Sequence, residues 1–147
     1  MISLDTNILV YAVDVAAGDR HMAAKKIVGS ASSVMTALTE QSLLEFVVAT
    51  TRHTGVAVGE AAKVVRKLMA NFPVLTPQPA IVDDVLALVE RYHLGIWDAR
   101  LLACCAMHGC EYLLSEDMQD GATYRGVTVV NPFNSANRQL LERLLTP

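Results

Sequence analysis

Four carboxylates interrupt apolar stretches of this chain: Asp5 in "SLDTNIL", Glu45 in "QSLLEFVVATTR", Asp98 in "GIWDARLLACCA" and Asp117 after "YLLSE". Acidic residues in such surroundings either cap local structure or build a site. Asp5 can cap a helix that begins near Ile8. Asp98 can complement a helix N-terminus, an effect of ~0.3–1 kcal/mol. Glu45 can lie on a solvated stripe with Gln41, Ala49 and Arg52, and Asp117 and Asp120 suit a polar turn that ends at Gly121. Together, however, the four suggest one chemistry. Hard divalent cations such as Mg²⁺ take oxygen ligands, usually one or two carboxylates plus waters and substrate phosphates. No nucleophile elbow, phosphate-binding glycine loop or histidine pair at ligand spacing competes with that reading. His21, His53, His93 and His108 are scattered along the chain and are expected at the surface.

Such carboxylates need a scaffold that brings them together, and the pattern of elements supplies one. Short apolar runs at Ile2–Leu4, Ser33–Thr36, Pro73–Leu75, Tyr112–Leu114 and Val127–Val130 read as strands. Helical patterns lie between them, near His21–Gly29, Thr39–His53, Val58–Asn71, Pro79–Tyr92 and Trp97–His108, and a terminal helix spans about 134–145. In the Pro79–Tyr92 segment, Val82, Val85, Leu86 and Val89 form a single apolar stripe. In the terminal helix, Leu140, Leu141, Leu144 and Leu145 share one side. Strands separated by helices imply a parallel sheet covered on both faces, with right-handed connections. Ligands of such sheets sit beyond the carboxyl ends of the strands, where strand order reverses. Asp5 closes the first strand and Asp117 follows the fourth, so both face one crevice if those strands are neighbours.

The bulk properties set limits. With 147 residues, 52% of them hydrophobic and 18% charged, the chain suits a single domain, 1–147, with a real core. No apolar run approaches the ~18 residues of a membrane span, and no signal-peptide pattern opens the chain, so the expected location is cytoplasmic. Cys104, Cys105 and Cys110 match no metal-ligand spacing and are expected as buried, reduced thiols. A net charge of −3 gives no basic footprint for nucleic acid, unless bound metal ions reverse the local sign. The apolar fraction, high for so short a chain, hints at a surface that pairs with a partner.

The segments "LDTNILVYA", "QSLLEFVVATTR", "WDARLLACCAMHGCEYLLSEDMQDG" and "NPF" resemble, in order and over nearly the whole chain from Ile2 to Phe133, the PIN-domain family. Within it they look like the VapC-type toxin ribonucleases of toxin–antitoxin pairs. The resemblance implies a three-layer α/β/α fold with a central parallel sheet in the order 3-2-1-4-5. It also implies an acidic Mg²⁺ or Mn²⁺ site that cleaves RNA, with a cognate antitoxin as partner and a homodimer as the usual assembly. Carried over residue by residue, the acidic quartet falls on Asp5, Glu45, Asp98 and Asp117, and Asn7 helps to orient the first carboxylate. Glu40 and Glu45, five residues apart, point about 140° from one another on a helix, so only one can face the crevice. The family pattern picks Glu45. Relatives often carry serine where Gly95 stands. Asp120 is a candidate additional ligand, and Glu116 a competitor of Asp117.

The implied reaction is metal-assisted hydrolysis of an RNA phosphodiester, in which the ion activates a bound water and neutralises phosphate charge. Asp5, Asp98 and Asp117 would be ligands, and Glu45 would hold a second ion or orient the water. Lys63, Arg66 and Lys67 could touch phosphates or simply form a solvated helix face. The alternatives are a non-catalytic PIN-like binding module, a Mg²⁺-dependent phosphatase and a phospho-receiver. A dehalogenase-type phosphatase wants an aspartate where Asn7 stands. A receiver wants a late lysine, and none follows Lys67.

Overall fold

The computed structural model describes residues 1–147 apart from the side chain of His53, so the surface position expected of that histidine lies outside the described residues. Among the described residues six strands form one sheet: β1 (Ile2–Leu4), β2 (Thr36–Thr39), β3 (Val74–Leu75), β4 (Tyr112–Leu114), β5 (Thr123–Tyr124) and β6 (Val127–Val130). Their order is β3-β2-β1-β4-β6-β5. The five expected strands pair in parallel in the expected order, with β6 in the fifth place.

The sheet is mixed rather than wholly parallel, because β5 adds an antiparallel edge to β6. Arg125 (φ 49°) and Gly126 (φ 87°) make the two-residue turn between them, both in the left-handed region. Paired positive φ values are what a two-residue hairpin of primed type requires. Arginine rarely adopts them, which is why "YRGV" does not announce a hairpin. The second strand also lies later than expected. Ser32 and Ser33 close the preceding helix instead, the Ser32 hydroxyl donating to the Gly29 carbonyl at 2.7 Å. Pairing starts only where Thr36 stands opposite Ile2.

The helices are α1 (Thr6–Val13), α2 (Asp19–Ala31), α3 (Glu40–Thr54), α4 (Val58–Asn71), α5 (Ile81–Tyr92), α6 (Ile96–Met107) and α7 (Arg138–Leu144). Successive strand residues bury on opposite faces, as in a sheet covered on both sides. Ala37, Leu113, Val127 and Val129 pack with Val85, Leu88, Leu102 and Cys105 of α5 and α6. Leu4, Leu38, Leu114 and Val130 pack with Ile8, Ala24, Phe46 and Ala61 of α1 to α4. The result is a three-layer α/β/α arrangement. Leu140, Leu141, Leu144 and Leu145 rest, partly buried, against the second cluster. All three cysteines are free and buried.

On α5 the apolar stripe is resolved differently from expectation. The face that enters the core is Ile81, Val85 and Leu88, spaced i, i+4, i+7. Val82 and Leu86 are 59% and 47% exposed. A wide apolar arc on a helix allows more than one choice of core line, and here packing against α6 selects the neighbouring one. Among the described residues no helix is long and apolar enough to cross a membrane.

Candidate active site

The strand β1 ends where its backbone makes a last ladder contact, the Asp5 N–H donating to the Leu114 carbonyl at 2.9 Å. The chain then turns into α1, with Asp5 as the N-cap. Asp5 is therefore both a cap and a cleft residue. Its Oδ1 accepts from the Thr6 N–H at 2.6 Å, and its Oδ2 accepts from the Ser115 hydroxyl at 2.6 Å and from Asn7 Nδ2 at 3.3 Å. Ser115 follows β4 directly and is fully buried. Its Oγ also accepts from the Asp117 N–H at 3.2 Å. The Asn7 amide in turn donates to Asp117 Oδ2 at 3.0 Å, so one side chain spans both carboxylates. The adjacent carboxyl ends of β1 and β4 create this juxtaposition, at the reversal of strand order where open α/β sheets bind ligands.

Glu45 arrives from α3, whose start is fixed by Thr39: its Oγ1 accepts from the Ser42 N–H at 3.1 Å. Both Glu45 oxygens are held. Oε2 accepts from the Thr6 hydroxyl at 3.0 Å and Oε1 from Gln41 Nε2 at 2.9 Å. The same Gln41 nitrogen donates to the Trp97 carbonyl at 3.0 Å, and Gln41 Oε1 accepts from Arg100 Nη1 at 2.8 Å. One buried glutamine thus ties α3 to the first turn of α6, from which Asp98 projects. The walls of the resulting cleft, about 610 Å³, include Asp5, Asn7, Glu45, Asp98, Asp117 and Arg52. Four carboxylates expected to converge do line one space.

Burial pushes the Asp5 carboxyl up from 3.8 to about 6, opposed by the hydrogen bonds from Ser115 and Thr6 and reinforced by repulsion from Asp117 and Glu45. Burial also raises Asp98, again with repulsion from Asp117 and Glu45. These shifts report negative charge that the protein leaves uncompensated. Among the described residues no lysine, arginine or histidine lies within ion-pair distance of any of the four. As placed, no three acidic, histidine or cysteine side chains of the described residues already close around a common point. The donor set is nonetheless all oxygen and anionic, the chemistry that suits a hard divalent cation. The Asn7 Oδ1 atom is buried without a hydrogen-bond partner, a further oxygen not yet used.

Two other candidates lie elsewhere. Asp120 is not in the cleft wall. Its carboxylate accepts from the Asn131 N–H at 2.8 Å, from Asn134 Nδ2 at 2.7 Å and from Asn137 Nδ2 at 2.8 Å, and so fastens the segment after β6. Burial would raise it, but these hydrogen bonds and that of the Gly121 N–H outweigh burial and leave it lowered. Glu116 is bound by the Tyr11 hydroxyl and by Arg20 Nε at 2.9 Å and does not line the cleft. Glu40 does not line the cleft, whereas Glu45 does. His21 and His108 are half-buried and meet the backbone carbonyls of Tyr11 and Thr76, each at 2.9 Å, while His93 is exposed. Lys63 pairs with Glu60 at 2.7 Å on the exposed face of α4, away from the cleft.

Sequence reasoning missed the orienting residues Thr6, Gln41 and Ser115. The one available signal was position: each stands within five residues of a site carboxylate, and Ser115 interrupts the apolar end of a strand.

A sheet of this order, with four acidic side chains at its point of reversal, defines a class of α/β fold. The PIN domain family matches residues 2–119, and the chain belongs to it. Among solved structures it is similar to a toxin–antitoxin complex from Klebsiella pneumoniae, at 24% identity and a TM-score of 0.64, covering 90% of this chain and 98% of that one. It is also similar to VapC20 of Mycobacterium tuberculosis, a sarcin–ricin-loop-cleaving toxin, at 21% identity and a TM-score of 0.66 (80% and 90% covered). FitAcB from Neisseria gonorrhoeae follows at 14% and 0.57, covering 90% of this chain and 99% of that one. Identities this low speak for the shared fold. A comparison with curated proteins finds no match.

Proposed function

We propose that this protein is a metal-dependent endoribonuclease and the toxin of a toxin–antitoxin pair, acting in the cytoplasm. One observation supports the reading most: Asp5, Glu45, Asp98 and Asp117, from separate elements, line one cleft in which no basic side chain pairs with them. Asp5, Asp98 and Asp117 would hold Mg²⁺ or Mn²⁺. Such an ion, when bound, lowers the pKa of a coordinated water and neutralises charge on a phosphodiester. The chain's own residues supply orientation. Ser115 and Thr6 fix the Asp5 carboxylate, Asn7 fixes Asp117, and Thr6 with Gln41 fixes both oxygens of Glu45. Glu45, so held, either accepts a hydrogen bond from the attacking water or helps to hold a second ion.

The described similarities to a toxin–antitoxin complex and to a toxin that cleaves the sarcin–ricin loop agree with this reading. The partner would be an antitoxin segment that covers apolar surface and places an arginine among the carboxylates, where a bidentate contact competes with metal. Leu44, Val48, Ile96 and Trp97, on the exposed sides of α3 and α6, offer apolar surface for such a segment or for a second copy in a homodimer.

RNA incubated with the purified protein should be cleaved with Mg²⁺ or Mn²⁺ and left intact with EDTA. Turnover of p-nitrophenyl phosphate or acetyl phosphate without RNA cleavage would instead indicate a phosphatase or a phospho-receiver.

A further inference from the structure

A second cavity, of about 670 Å³, lies between α2 and the C-terminal segment and includes none of the four carboxylates. Three of the chain's 12 lysines and arginines, Arg20, Lys26 and Arg138, line it, against two acids, Asp19 and Glu142. Neither Lys26 nor Arg138 is within ion-pair distance of a carboxylate among the described residues. Its apolar wall includes Phe133 and Leu141.

This cavity shares a ridge with the acidic cleft. Tyr11 lines the cleft and Phe133 lines the cavity, and their rings meet edge to face with centroids 5.7 Å apart. The Arg20 guanidinium lies 5.8 Å from the first ring centre and 5.6 Å from the second. Arg20 is itself held by Glu116, the residue before Asp117, through Nε at 2.9 Å. That single bond leaves the two terminal nitrogens of Arg20 available for a further acceptor.

We propose that the cavity is a subsite for the single-stranded RNA that leaves the acidic cleft, a proposal that rests on the ribonuclease reading above. Proteins that hold single strands combine a cationic groove along the backbone with aromatic faces on which bases stack. Here Arg20 at the ridge, then Lys26 and Arg138 beyond it, meet successive phosphates, and the exposed part of Phe133 meets a base. The arrangement also explains how a chain of net charge −3 holds a polyanion: beside the cleft, whose wall already includes Arg52, it adds Lys26 and Arg138 without a carboxylate partner among the described residues and Arg20 with free terminal nitrogens. An apolar protein segment fits less well here, because Lys26 and Arg138 stand in the wall without a carboxylate partner among the described residues and call for an anionic occupant.

The test uses the full chain carrying Lys26→Ala and Arg138→Ala together. Binding of a labelled single-stranded RNA of about ten nucleotides is followed in EDTA by fluorescence anisotropy across a salt series. The double variant should bind about tenfold more weakly, and the slope of log affinity on log salt should fall by ~1.4, the value for two lost phosphate contacts on a single strand. With Mn²⁺, KM for the same RNA should rise more than kcat falls, and the melting temperature should stay within a degree or so of wild type, as for exposed side chains. Wild-type affinity, salt slope and KM in the double variant, with RNA cleavage intact, would overturn the subsite and leave the ribonuclease reading standing. A wild-type protein that neither binds nor cleaves RNA would overturn both. A variant whose KM is unchanged but which no longer binds an acidic peptide that the wild type binds would likewise overturn the RNA assignment in favour of a protein ligand.

Discussion

The Ser115 hydroxyl donates to Asp5 Oδ2 at 2.6 Å, joining two residues 110 positions apart at the ends of adjacent parallel strands. The bond lowers the Asp5 pKa against the burial that raises it. Ser115→Ala should therefore raise that pKa further and weaken metal binding and RNA cleavage by about 10–100-fold, the usual effect of losing a group that orients a metal ligand. Stability should change by no more than about 1–2 kcal/mol. Mn²⁺ titration by calorimetry and a pH–rate profile displaced to higher pH would check this. An unchanged profile would mean that Ser115 only packs.

Gln41 links Glu45, the Trp97 carbonyl and Arg100. Gln41→Leu keeps its volume but frees Glu45 Oε1 and leaves Arg100 without its acceptor. The expected result is a fall in kcat of about tenfold or more with KM little moved, as for loss of an interaction made mainly in the transition state. Steady-state cleavage of one RNA substrate would separate the two constants.

Asp120 distinguishes a ligand from a clamp. Its bonds to Asn131, Asn134 and Asn137 predict that Asp120→Ala destabilises the protein by about 1–3 kcal/mol. The Mn²⁺-induced rise in melting temperature should nevertheless persist. Because its folded pKa is lowered, its contribution is present above the unfolded value near 4 and is lost as pH falls through the folded pKa. Wild type and variant should thus converge in stability in acid. Loss of the metal response with unchanged stability would make Asp120 a ligand after all.

The parallel pairing of the sheet was legible because short apolar runs alternate with helical ones, whereas its strand order came only with the family resemblance. The quartet was legible from carboxylates in apolar context only once a family pattern joined them, since each alone also reads as a cap or turn. Asp5 is in fact a cap as well. What local pattern could not reveal was partner choice across the chain. Ser115 meets Asp5 and Gln41 meets Arg100 only after the strands and helices have docked. The β5–β6 hairpin escaped because Arg125 takes a backbone conformation its side chain disfavours, and the α5 core face because docking, rather than periodicity, chose between two adjacent apolar lines.

Gly95 is the N-cap of α6 and offers no side-chain cap. A Cβ built there would stand 3.5 Å from Asp98 Oδ2, in ordinary contact, and its φ of −59° suits any residue. Gly95→Ser should add a capping acceptor, worth a few tenths of a kcal/mol, and place a hydroxyl donor beside Asp98. That donor would lower the raised Asp98 pKa. Melting temperature should rise slightly and the acid limb of cleavage should move to lower pH. Weaker cleavage at every pH would show that serine here obstructs the cleft.

The last prediction concerns Asp5 and the stability of the metal-free protein. Its carboxyl is raised from 3.8 to about 6, chiefly by burial. An acid whose folded pKa is raised binds its proton more tightly folded than unfolded, so ionising it costs stability. The cost is absent below about pH 4, grows as pH rises to about 6, and is complete above that, reaching about 3 kcal/mol. Metal-free wild type should therefore melt higher at pH 5 than at pH 7.5. Asp5→Asn removes the charge, keeps an oxygen that can accept from Thr6, and offers an amide to a rotated Ser115 hydroxyl. Some of the gain is given back, because an amide accepts less strongly than a carboxylate. The variant should thus abolish cleavage while leaving the metal-free protein at neutral pH equally or more stable, by up to about 2 kcal/mol, the scale of a stability–function trade-off. Its stability should vary less with pH between 4 and 7, and Mn²⁺ should raise its melting temperature less, since a ligand that binds only the folded state stabilises by mass action. Melting curves at pH 5 and 7.5, each with EDTA and with Mn²⁺, together with one RNA assay, supply every comparison. If Asp5 served only as a cap, asparagine would cap nearly as well, and both cleavage and the metal response would survive.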